Sequence, residues 1–203
     1  MVRLLLRRVF DTSTMKAIFY LVLLIGTITV GCRSISQKSD THNPQGAPNT
    51  SQNAYSLLYQ LLNDEKDVSK LLLIKRDSRE LNRLAKDISG ASAKAANQLK
   101  AFAEQDGSLA LNAINLPPGE AATRKAIAAT KTKELLSSSG DTFERSFLLT
   151  QIEALNYADH LAAVAADNDT NPPRSAWSKS LSQEMKGLHS RCVELLSRSP
   201  HGR

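Results

Sequence analysis

The sequence predicts an all-helical fold, an antiparallel bundle of four or five helices, and three observations carry that expectation. Apolar residues recur at steps of three and four through several long stretches after residue 54. The 203 residues are 41% hydrophobic but only 5% aromatic, so the core is built mainly from Leu, Ile and Ala, a composition that suits closely packed helices better than a twisted sheet. Glycine and proline gather in short clusters between the periodic stretches, where helices stop and start.

The chain begins differently. Residues 17–31 (AIFYLVLLIGTITVG) carry no charge, follow Lys16 and end at Gly31-Cys32. The run is shorter than the roughly 20 residues a membrane-spanning helix needs. A basic start, a short apolar stretch and small residues before a cut make it a secretory signal, residues 1–31, with Met15 an alternative start to Met1. Its end, Thr29-Val30-Gly31-Cys32, resembles the lipobox of bacterial lipoproteins, with Thr29 standing where Leu is usual. The resemblance implies that the Cys32 thiol carries a diacylglyceryl group, that cleavage makes Cys32 the first residue, and that membrane lipid is the chain's partner there. Each buried CH2 contributes roughly 0.8 kcal/mol and stable anchoring takes at least two acyl chains, which this modification supplies. Arg33 follows the Cys where Asp would retain a lipoprotein in the inner membrane. Enterobacterial sorting therefore implies the outer membrane, with the domain facing the periplasm.

From Arg33 to Asn53 the only large aliphatic residue is Ile35, and Ser, Asn, Gln, Pro and Gly dominate. Such a segment cannot bury enough surface to fold and reads as a tether, 32–53, holding the domain on the order of 25 Å from the lipid. The folded domain is expected over 54–203. Its first segment places Leu58, Leu61, Leu62, Val68 and Leu72 on one face, interrupted by the polar run Asn63 to Asp67. The second repeats Leu81, Leu84, Ile88, Ala91, Ala95, Leu99 and Phe102 without a miss and ends near Gln105-Asp106-Gly107. Pro117-Pro118-Gly119 opens a weaker, Ala-rich helix that runs to Leu136 and stops at Ser137 to Gly140. Asp141 or Thr142 is placed to cap the next helix, which carries Phe143, Phe147, Leu148, Ile152, Leu155, Ala158, Leu161, Ala162 and Ala165. The run Asn168 to Pro173 breaks the chain again, and a last helix shows Trp177, Leu181, Met185, Leu188, Cys192 and Leu195. Amphipathic helices joined by short polar breaks close on one another as a bundle.

From about Leu71 onward these helices resemble a bacterial family of exported, ferritin-like helical proteins catalogued as domain of unknown function 4142. The resemblance rests on Leu84-Ala85, Leu99 to Ala103, Gly140 with Phe143 to Phe147, and Leu188-His189. It implies a ferritin-like bundle in the cell envelope and no established reaction. Members commonly carry an Asp-His pair in the second helix and a His after the Phe-containing motif; here those positions read Ala91-Ser92 and Leu155, and only His189 remains.

The remaining chemistry is sparse. The formal charge is +6, but removing the signal's four bases and Asp11 lowers it to +3. No Lys/Arg run with interleaved aromatics remains, so nucleic-acid binding is not expected. Two cysteines in unlike settings form no disulfide framework and no CxxC metal site. No Glu-x-x-His pair, Gly-rich phosphate loop or Gly-x-Ser-x-Gly elbow occurs, and no catalytic residue or cofactor is assigned. His189 and Cys192, one turn apart, are the only weak metal candidates, and Cys192 sits on the apolar stripe where a free Cys is ordinarily a small core residue. Asp159 and His160 are adjacent and point in different directions. The reading is a non-enzymatic envelope lipoprotein with a helical interaction domain whose protein partner the sequence does not name. The alternative is a metal- or small-ligand-binding bundle using His189 with Cys192, or acids such as Glu153 and Glu184.

Overall fold

The computed structural model describes residues 50–73, 78–112 and 116–198, and every regular element in them is helical. In chain order these are α1 (Thr50–Glu65), a 3-10 turn (Val68–Leu73), α2 (Arg79–Gln105), α3 (Pro118–Ser137), α4 (Gly140–Asn168) and α5 (Pro172–Arg198). The secretory signal, Cys32 and most of the tether lie outside the described residues.

Helices α4 and α5 share the most extensive packing, and α1 and α2 close over them. Both helices bury large and small side chains together. On α4, Phe143, Phe147, Leu148, Leu155 and Leu161 are buried beside Ala158, Ala162, Ala165 and Ala166. On α5, Leu181, Met185, Leu188, Cys192 and Leu195 are buried beside Ser178 and Ser182. Small residues let the helix surfaces approach while the large ones fill the space between them. Each large side chain so removed from water contributes about 1.5–3 kcal/mol.

Helix α2 follows its sequence period closely. Leu81, Leu84, Ile88, Ala95 and Leu99 are all buried, with Ala91 and Phe102 at the margin of the core. Ser78 caps its start, the hydroxyl accepting from the Leu81 amide at 3.2 Å. The Asp106 amide closes its other end on Phe102 O at 2.8 Å. The helix thus ends where Gln105-Asp106-Gly107 places it.

The structure shifts two expected boundaries. Helix α1 starts at Thr50 and reaches into the segment expected to be tether, because its first turn has partners: Ser51 is buried, and the Gln52 side chain both donates to Ala110 O and accepts from the Ala110 amide. Ser56 Oγ adds a 2.8 Å bond to the same carbonyl. The second shift is at α4, which begins at Gly140, so neither Asp141 nor Thr142 caps it. Only Ser138 and Ser139 separate it from α3, and Gly140 turns the chain with φ +55, a conformation that glycine adopts without a Cβ penalty.

Helix α3 is weakly held, as its sparse apolar spacing predicts. Leu135 is its only buried residue, while Ile127 is 51% exposed. Beside Leu135, two polar contacts join it to α4: Arg124 donates to Tyr157 Oη at 2.8 Å and Lys131 pairs with Glu153.

Candidate functional site

The densest polar cluster sits at one end of the bundle, around Arg174. Asn171 caps α5 by accepting from the Arg174 amide at 3.1 Å, and Asp169 Oδ1 in turn accepts from the Asn171 amide at 2.9 Å. The Arg174 side chain, in the first turn of α5, grips Asp169 with two nitrogens and reaches Asp106 Oδ2 at 2.7 Å. Tyr55 of α1 donates to Asp169 Oδ2 at 2.7 Å and shares a 2.9 Å bond with Ser178, and the guanidinium lies over the Tyr55 ring. One cation therefore ties together α1, the end of α2, the α4–α5 connection and α5.

The electrostatics agree with that geometry. Burial pushes the Asp169 carboxyl up, but hydrogen bonds from Arg174, the Asn171 amide and Tyr55 outweigh it and hold the group below its ordinary value. Hydrogen bonds from Ser108 and Arg174 lower Asp106 to about 2. Burial raises the Tyr55 phenol far above its usual range. Every member has a hydrogen-bond partner within the cluster, so the network holds the elements it joins in register.

The sequence-predicted metal candidates do not converge. Cys192 is fully buried, and burial pushes its thiol up to about 12. His189, three residues earlier, stays partly exposed at the edge of α5. Glu184 lies exposed on α5, and Glu153 is exposed on α4 in its pair with Lys131. His160 is exposed with Nδ1 2.8 Å from Asn156 O, while Asp159 accepts from Ser182. Among the described residues no three His, Cys, Asp or Glu side chains gather closely enough to hold a metal ion.

What the surface offers is an open groove of about 570 Å³ between α2 and α5. Its walls carry Lys86, Asp87 and Lys94 on α2, facing Glu184, Leu188 and Arg191 on α5. Arg191 spans it to Asp87 at 2.6 Å. Gly90 and Gly187 both lie on the groove, and a Cβ added at either meets nothing within 4 Å, so backbone is accessible from both helices. The sequence reading passed over this feature. Its only trace was a lone glycine inside each of two helical patterns, where Gly costs about 1 kcal/mol relative to Ala.

No protein-family model, curated protein or solved structure matches the chain. Fold and surface together define an all-helical bundle domain. Among the described residues no helix is long and apolar enough to cross a membrane.

Proposed function

We propose that this chain is a bacterial envelope lipoprotein, anchored through acylated Cys32, whose helical domain is a non-enzymatic interaction module that takes a segment of a partner protein along the α2–α5 groove. The observation that carries the docking part is the groove itself: shallow, walled by charges of both signs and bared to backbone at Gly90 and Gly187. A small ligand is ordinarily enclosed by a largely apolar pocket, whereas this trough is open and walled by charged side chains, which favours a polar segment of a partner over a small molecule. The anchoring part rests on the signal-like run and on Val30-Gly31-Cys32. Within the domain, α4 and α5 are joined by only Asp169 to Asn171, which supports antiparallel packing of that pair.

Filling the groove tests the docking claim. Gly90→Arg and Gly187→Arg add bulk where a Cβ has open space, so the domain keeps its thermal transition. A photocrosslinker at Lys94 in intact cells should give a discrete protein adduct in the unmodified chain, and the double variant should lose it. Absence of any adduct, or one that survives the filled groove, contradicts this reading.

A further inference from the structure

Away from the Arg174 cluster the interior holds a second polar group that its neighbours do not satisfy. Glu65, the last residue of α1, is partly buried, with Oε2 shut off from solvent and without a hydrogen-bond partner. Gln151, in the middle of α4, is 2% exposed, and its Oε1 is likewise buried and unpartnered. The two helices pack against each other, and Gln151 lies near enough to act on the Glu65 carboxyl. Two adjoining side chains thus each present a buried oxygen that needs a donor. An ionised carboxylate and an amide carbonyl are both acceptors, so neither can satisfy the other.

A single proton resolves both. We propose that Glu65 and Gln151 form a proton-operated clamp, in which protonated Glu65 Oε2 donates to Gln151 Oε1 while the Gln151 amide donates back to Glu65. The neutral acid–amide pair fastens the last turn of α1 to α4, and release of the proton to solvent loosens that turn. The surroundings favour the neutral form. Asp64 on α1 repels a charge on Glu65, and Cys192 on α5 faces it as an uncharged thiol. From α4 comes the uncharged Gln151, and among the described residues neither α2 nor the 3-10 turn contributes a charged group. Lys66 acts on Asp64, and Arg191 on Cys192. A metal ion fits poorly: hard cations take six or more oxygens, and soft ones need a thiolate that burial of Cys192 opposes.

Burial, reinforced by Asp64 and only partly offset by Gln151, raises the Glu65 carboxyl to about 7. The folded value lies above the unfolded one of about 4.3. The clamp's stabilisation is therefore complete below the unfolded value, declines as pH rises between the two, and is gone above about 7. An envelope domain so built tightens in acid and slackens above neutrality.

The test uses the full 203-residue chain labelled with 13C at the Glu carboxyl carbons. One resonance should titrate near 7 and vanish in Glu65→Gln. Hydrogen exchange supplies the conformational readout, because the Lys66 amide bonds Leu62 O at 3.0 Å in that last turn. Its protection, corrected for intrinsic exchange, should fall about tenfold from pH 6 to pH 8 in the unmodified chain and stay level in Glu65→Gln. Overturning results are equally definite: every Glu carboxyl titrating in the ordinary range, a titration near 7 that persists in Glu65→Gln, or one that moves when divalent ions are removed with a chelator. Should Glu65→Gln fail to fold, Glu65→Asp assigns the resonance instead, since it too must remove the signal near 7 from the Glu-labelled chain, and a signal that stays overturns the proposal.

Discussion

Replacing Arg174 by Ala lowers the stability of the helical domain by about 3–5 kcal/mol, the cost of leaving a buried charge without its partner. The Asp169 side chain is only 1% exposed and accepts two of its hydrogen bonds from the guanidinium, so Arg174→Ala strands a carboxylate that has little water to turn to. The same truncation unpins Asp106 and uncovers the Tyr55 ring, so α1, α2 and α5 lose their common tie at that end. Urea denaturation at pH 7 measures the loss. Arg174→Lys should recover only part of it, since an ammonium cannot grip Asp169 with a fork and still reach Asp106. The pH dependence has a definite sign. Asp169 is held below its unfolded value, so the cluster's contribution is present above the ordinary carboxylate range and is lost as pH falls through the folded value. The wild-type curve therefore descends toward acid more steeply than that of Arg174→Ala. A loss under about 1 kcal/mol would place the pair among surface ion pairs instead.

Phe147→Ala should cost about 3–5 kcal/mol, because truncating a buried aromatic loses its transfer free energy and leaves a cavity that neighbours fill incompletely. Phe147 is wholly buried on α4 and packs against Phe143 with ring centroids 5.9 Å apart. It serves the helix that contacts α1, α3 and α5, so few movements can close the gap. Ile127→Ala on α3 supplies the comparison. Ile127 is 51% exposed, and its loss should stay within about 0.5 kcal/mol. Thermal and urea unfolding of the two variants measure the contrast. Equal costs would mean that α3 carries more of the core than its single buried Leu135 indicates.

These two sites differ in how far the sequence announced them. Phe147 was legible because helical periodicity is a local property: Leu81 to Leu99, Phe143 to Ala165 and Leu181 to Leu195 recur at fixed steps, and their stripes face the core. The weakness of α3 was legible for the same reason. The Arg174 cluster was not, since its members lie at positions 55, 106, 169 and 174 and only the closed bundle brings them together. A signal was nonetheless present. Asp106 stands at the C-terminal end of a helix and Arg174 in the first turn of another, each on the end that the helix dipole disfavours. Two charges misplaced in that sense can each be the other's counter-charge, and here they meet at 2.7 Å. Glu65 and Gln151 gave less warning. Glu65 sits in a polar run that reads as a helix end, and Gln151 interrupts an otherwise apolar stripe that Phe147, Leu148 and Leu155 already explain. The start of α1 at Thr50 was hidden as well, because the Gln52 side chain finds its partner on Ala110, well beyond any local pattern.

The groove between α2 and α5 acquires its meaning only if the domain is held at a membrane, and Cys32 is where that claim is exposed. Cells expressing the full chain and Cys32→Ser, fed an alkyne-bearing fatty acid and separated into soluble and membrane fractions, test it directly. The account predicts that the native chain takes up the label and sediments with membranes, and that Cys32→Ser is unlabelled and keeps the mass of the uncut chain. An unlabelled native chain, or a Cys32→Ser variant that is still labelled or still cut before residue 32, would contradict it.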